Sequence, residues 1–269
     1  MQAAADRYIP ALVFSFAAAN GGAMSASPGY RPYEPQLHPV AWDKDIWTVD
    51  GAEIVYTSGG VAVPCPTRMT MIRLSDGRLW LHSPVVCAGD LVSACTALGP
   101  VAAIIAPNPL HCAHIGDWAR MFPEAALFAA PGTDAGKLPR DFGVLASGSE
   151  PDWRAEIDLH VFALGHFSEA VFFHRASRTL VVTDMMQNFE ASRVRSWFAR
   201  LVLHAVGATG PNGRPSAEIR LAVRRHRQAL REGVAAMIAW QPERIILAHG
   251  QCYRKAGVRE IERAFDWLG

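Results

Sequence analysis

Several features that would settle a function at once are missing from these 269 residues. Cysteine is scarce: Cys65, Cys87, Cys95, Cys112 and Cys252 are an odd set with no C-x-x-C pair. That argues against a disulfide framework and for a reducing, cytoplasmic setting. Charge of either sign is not in excess, because 26 basic and 25 acidic residues leave a formal +1. The whole-molecule balance therefore provides no pull toward nucleic acid or an anionic membrane. No apolar run reaches the roughly 18–20 residues that span a bilayer. A G-x-S-x-G elbow is absent, which argues against a serine hydrolase. Phosphate-cradle and dinucleotide glycine fingerprints are absent too. The expected partner is a small-molecule substrate.

Hydrophobic residues, at 50%, and ten histidines are what the chain does have. Imidazole is both a common transition-metal ligand and the usual acid or base near neutral pH. The apolar, β-branched run Val101–Ala106 reads as a buried strand. It stops at Pro107-Asn108-Pro109, and His111 and His114 follow at once. Active sites of open α/β sheets lie at such carboxyl ends. Three further residues share this placement. His166 follows the strand expected over 157–164, Asp184 follows the hairpin strand 179–182, and His249 follows the strand 244–248. Any one histidine after a strand is more often a hydrogen-bonded structural residue than a ligand, but the recurrence at ordered positions favours a site. Four imidazoles and a carboxylate suit Zn, with Fe or Mn also compatible.

Around these positions the chain alternates short strands and turns up to about residue 182 and then becomes helical. Asp76-Gly77 between two apolar runs signals a hairpin. Helices are expected over 89–98, 115–121, 192–206, 215–240 and 258–268. In the 215–240 stretch Ile219, Val223, His226, Leu230, Val234 and Ile238 recur at spacings of three and four. There is no internal repeat, so residues 30–269 read as one α/β (α+β) domain with two packed sheets. Residues 1–29 read as an N-terminal extension, disordered or a non-native start. Its apolar stretch 9–19 admits a signal-peptide reading, but Asp6 beside Arg7 weakens the positive lead that one requires.

The order of these motifs resembles the metallo-β-lactamase superfamily. Pro109-Leu110-His111-Cys112-Ala113-His114 stands in the H-x-H-x-D-H slot. Gly165-His166, Thr183-Asp184 and Ala248-His249-Gly250 stand in the later ones. More narrowly, the Asn-Pro-Leu-His-x-x-His loop with Trp118 and the Leu-Ala-His-Gly ending are similar to a branch of that superfamily known as a domain of unknown function. The resemblance implies a four-layer αββα sandwich, and His111, His114, His166, Asp184 and His249 as metal ligands. Pro109 and Ala113 replace a histidine and an aspartate of the motif. His111 with His166 would then serve one metal and His114 with His249 another, with Asp184 between them. The implied activity is metal-dependent hydrolysis of a small ester, thioester or phosphoester, using one ion or two. The alternative is a non-catalytic domain whose vestigial site holds no metal and serves binding or structure.

Two neighbours in the loop carry double readings. Cys112 either replaces a lost ligand or is a small buried residue. Asn108 either meets substrate or metal-bound water, or is a turn residue between prolines. The arginines from Arg220 to Arg231 read as a solvated helix face.

Overall fold

The computed structural model describes residues 15–17, 29–58, 61–148, 151–165 and 167–269. Most of the expected extension, with most of its apolar stretch, and His166 lie outside them. Of the extension, Ser15–Ala17 forms a short strand, β1.

The strands then run β2 (Val40–Asp43), β3 (Ile46–Asp50), β4 (Ile54–Ser58), β5 (Val61–Cys65), β6 (Arg68–Arg73) and β7 (Leu79–His82). Next come β8 (Val101–Ala106), β9 (Ala126–Ala129), β10 (Gly143–Val144), β11 (Ile157–Leu164), β12 (Phe167–His174), β13 (Thr179–Val182) and β14 (Arg244–Leu247). The helices are α1 (Gly89–Leu98), α2 (Ile115–Met121), α3 (Trp197–Ala205), α4 (Ala217–Ala222), α5 (Arg227–Ala239) and α6 (Gly257–Ala264).

Two sheets carry the sandwich. One has seven strands in the order β10-β9-β8-β7-β6-β3-β2, the other four in the order β11-β12-β13-β14. Their facing sides bury Trp80, Ala103 and Ile105 of the first against Ile157, Phe172, Val181 and Ile246 of the second. The outer side of the seven-stranded sheet packs on Leu91 and Cys95 of α1 and on Ile115 and Trp118 of α2. The outer side of the four-stranded sheet packs on Leu230, Val234 and Met237 of α5 and on Ile261 of α6. The layers are therefore α, β, β, α, as the sequence predicts. β12 and β13 are buried at every residue, as a sheet covered on both faces requires.

A third, small sheet, β1-β4-β5, lies outside the two main ones. β5 has no counterpart among the expected strands, because Pro64 interrupts it. It is an edge strand of its sheet among the described residues, the kind of strand in which proline is tolerated. Three helices also differ from expectation; the closing one, expected over 258–268, is α6 over Gly257–Ala264 followed by a 3-10 turn at Asp266–Leu268. The stretch 192–206 is helical only from Trp197, where the Ser196 hydroxyl caps the helix by accepting from the Ala199 N–H at 3.2 Å. The stretch 215–240 is not one helix but α4 and α5, separated by a 3-10 turn at Arg224–His226. That turn brings His226 against Gly165: a Cβ there would lie 2.7 Å from His226 Nε2.

Candidate metal centre

The strand pairing explains the site. β13 and β14 run parallel, with Val182 opposite Leu247. Asp184 and His249 each stand two residues beyond that pair, so register alone makes them neighbours. His111 arrives from the other sheet on the loop after β8. That loop is tied across the sandwich by the Ala170 N–H of β12, which donates to the Pro107 carbonyl at 2.7 Å.

His111, Asp184 and His249 present ligand atoms all within 4.8 Å of one another. His111 Nε2 lies 3.1 Å from His249 Nε2 and 3.4 Å from Asp184 Oδ2, and His249 Nε2 lies 3.3 Å from Asp184 Oδ1. Donors placed ~2.0–2.2 Å from a tetrahedral ion stand roughly 3.3–3.6 Å apart. The edge between the imidazoles, 3.1 Å, is just shorter than that range, and the carboxylate meets the two rings at 3.4 and 3.3 Å through different oxygens, so small adjustments of these three side chains fit the set to a divalent ion.

Surrounding groups fix the orientation of each donor. His249 Nδ1 faces the Pro66 carbonyl at 2.8 Å, a contact that places the proton on Nδ1 and leaves Nε2 as the donor. His111 Nδ1 faces the Ser83 hydroxyl at 2.7 Å. The Asp184 carboxylate accepts from the Asn108 side-chain amide at 2.8 Å on one oxygen and from that of Gln187 at 3.0 Å on the other. Glu169, fully buried, accepts the backbone N–H groups of Thr183, Asp184 and Met185 and so shapes the loop that carries Asp184. Arg68 donates to the carbonyls of Leu247 and Gly250 on either side of His249 and pairs with Asp50 at 2.7 Å. Gly250 has φ +94, and a Cβ on it would come within 2.0 Å of the Asn188 carbonyl oxygen.

Burial would raise the Asp184 carboxyl, but the two imidazoles outweigh it and hold the group well below the usual carboxylate range. Burial lowers the proton affinity of His111. At His249 burial also acts downward, but Asp184 and the Pro66 carbonyl reverse the sign and raise it. Glu169 is raised by burial and by the charge of Asp184. The cluster thus keeps an ionised carboxylate beside imidazoles in a dry pocket.

Of the residues expected at the site, His111, Asp184 and His249 are brought together. His114 is not in that group; it stands at the position before α2, without a side-chain capping bond, and lines the adjoining cavity. The resemblance pairs His111 with His166 and His114 with His249; His166 lies outside the described residues, and in the structure His111 stands beside His249, because the ends of β8 and β14 meet across the sandwich. Asn108 has no exposed surface. Its amide donates to Asp184 and Thr183, and its oxygen accepts from the Leu110 and His111 N–H groups at 2.8 and 3.0 Å. It fastens the two loops instead of facing a ligand. Cys112 is buried in the α1/α2 core with its thiol toward the Pro109 carbonyl at 3.2 Å. Ser83, Arg68, Glu169 and Gln187 are not marked by any motif in the sequence. For Ser83 a positional signal exists, since it too stands just past the end of a strand, β7.

The family model described as "Domain of unknown function (DUF4336)" matches residues 43–199. No curated protein matches the chain in sequence. Solved structures match over nearly the whole sandwich. The DIM-1 metallo-β-lactamase superposes with a TM-score of 0.57 at 12% identity, covering 87% of this chain and 99% of that one. The metallo-β-lactamase FIM-1 from Pseudomonas aeruginosa, in its mono-zinc form, gives 0.56 at 12% identity, covering 88% and 97%. VMB-1 gives 0.58 at 6% identity, covering 87% and 96%.

Proposed function

Because this chain belongs to the DUF4336 family, a domain of unknown function, and has the metallo-β-lactamase fold, we propose that it is a hydrolase built around a single divalent ion. Its substrate class is a small ester, thioester or phosphoester, and zinc is the first candidate metal, with iron or manganese as alternatives. The observation that carries this reading is the closeness of His111, Asp184 and His249, whose ligand atoms all lie within 4.8 Å of one another, a spacing that one ion can bridge.

In this reading His111 Nε2, His249 Nε2 and an Asp184 oxygen hold the ion, leaving a position open for water or substrate as catalytic sites do. When bound, such an ion supplies Lewis acidity and makes water a nucleophile near neutral pH. Ser83 and the Pro66 carbonyl keep both imidazoles turned inward. Asn108 and Gln187 keep the carboxylate in place, and the buried walls exclude bulk water. His114 belongs to the wall of the cavity.

Elemental analysis of protein supplied with zinc, iron or manganese tests the proposal. The expected content is near one equivalent, lost in His249→Ala and in Asp184→Asn. Near two equivalents would restore His114 and His166 to a second ion. Content below about a tenth of an equivalent would sink the hydrolase reading and favour a binding domain with a vestigial site.

A further inference from the structure

Beside the three donors lies a cavity of about 100 Å³. Its walls come from the small outer sheet, the start of β12 and the α3–α4 region. Val63, Phe167, Phe189, Leu203, Val206 and Ile219 are among the side chains that line it. Apart from the histidines and Asp184, the described lining holds no ionisable side chain beyond the Cys65 thiol, whose proton is held by burial.

The polar residues of the wall are already engaged with the protein. The Thr67 hydroxyl donates to the Ala52 carbonyl at 2.7 Å, and the Ser83 hydroxyl meets His111. The Gln187 amide donates to Asp184, and the Ser216 hydroxyl accepts from the Ile219 N–H. No lysine or arginine is among the described lining residues. An anionic group entering the cavity body would lose its hydration without gaining a counter-charge, a heavy cost in apolar surroundings.

We infer that the substrate is a neutral carboxylic ester or thioester with an apolar acyl body, whose only polar function is placed at the His111–Asp184–His249 centre. This rests on the hydrolase reading and narrows it, because phosphoesters and substrates with a carboxylate on the acyl body are disfavoured by the same wall. The reaction adds water across the acyl bond. The acyl carbon gains the water oxygen and loses the bond to the alcohol or thiol, which takes one proton. The acid product ionises, and as an anion it is poorly held by an apolar wall.

The test is ligand-observed NMR on the metal-free protein with methyl acetate, methyl hexanoate and methyl decanoate, beside hexanoate and hexyl phosphate. Affinity for the methyl esters should rise by roughly tenfold for every two methylenes until the cavity is full. Hexanoate and hexyl phosphate should bind at least tenfold more weakly than methyl hexanoate. Val206→Phe and Val202→Phe, each narrowing the cavity, should weaken methyl decanoate more than methyl acetate, with circular dichroism reporting that each variant is folded. Equal affinity for anionic and neutral ligands, or no dependence on chain length, would overturn the inference. The two readings fail separately. Metal uptake with ester cleavage indifferent to chain length removes only the apolar acyl body. Chain-length-dependent binding by a protein that never takes metal removes only the hydrolase.

Discussion

Against the rings of Trp80 and Phe172, the imidazole of His82 lies buried in the contact of the two sheets, and neither ring nitrogen has a hydrogen-bond partner among the described residues. Burial, with a smaller contribution from His111, pushes its pKa down to about 3 from the ordinary 6.5. Between those values the unfolded chain binds a proton that the folded chain refuses. Stability from this residue is therefore intact above about pH 6.5 and drains away as pH falls toward 3. Within that window each step of one in pH removes at most about 1.4 kcal/mol. Leaving a buried polar group unpaired also costs about 1–3 kcal/mol at any pH. His82→Leu should accordingly be no less stable than the parent near neutrality and should pull ahead in acid. Urea midpoints near pH 7 and again near pH 5 measure this. Parallel loss of stability in the two proteins would show that His82 is not the acid-sensitive group. Nothing in the sequence marks this residue, because a histidine at a strand end reads the same whether it faces a ligand or the core.

Strand ends make three of the site's residues legible at the level of elements. Asp184 and His249 are found by position because β13 and β14 are parallel neighbours in register. His111 is found because β8 ends at the same rim. The residues that hold them are not legible, and for identifiable reasons. Glu169 acts through three backbone N–H groups, and Arg68 through two carbonyls, so their partners carry no side-chain pattern. The break between α4 and α5 is hidden because the apolar spacing continues through it, although His226 packs too close to Gly165 for a side chain there. Gly250 is the opposite case, where a short motif has a geometric cause. Its φ of +94 and the approach of the Asn188 carbonyl leave no space for a side chain. Gly250→Ala should cost at least about 1–2 kcal/mol from the backbone conformation alone. The clash adds to that and displaces His249. A lower melting temperature together with reduced metal content is the expected pair of results. A variant that melts early but binds metal normally would show that the loop relaxes without moving the imidazole.

Across the whole molecule, the three donors divide between the sheets. His111 belongs to the seven-stranded sheet, while Asp184 and His249 belong to the four-stranded one. An ion held by all three would add a clamp at the open rim of the sandwich, beside the existing links from Ala170 to Pro107, from Asn108 to Asp184 and from Arg68 to the Leu247 and Gly250 carbonyls. Binding to the folded state alone stabilises it by about 2.7 kcal/mol when free metal is a hundred times the dissociation constant. For a chain of this size that corresponds to a rise in melting temperature of roughly 5–10 °C. The rise should vanish in His111→Ala as fully as in His249→Ala, although the two residues sit on different sheets. Differential scanning calorimetry with and without zinc supplies the measurement. Retention of the full zinc effect in His111→Ala would mean that the ion sits on the four-stranded sheet alone, and the cross-sheet clamp would have to be abandoned. Loss in both variants would instead make closure of the sandwich and metal occupancy one equilibrium, since the ion's third ligand is available only when the two sheets are packed.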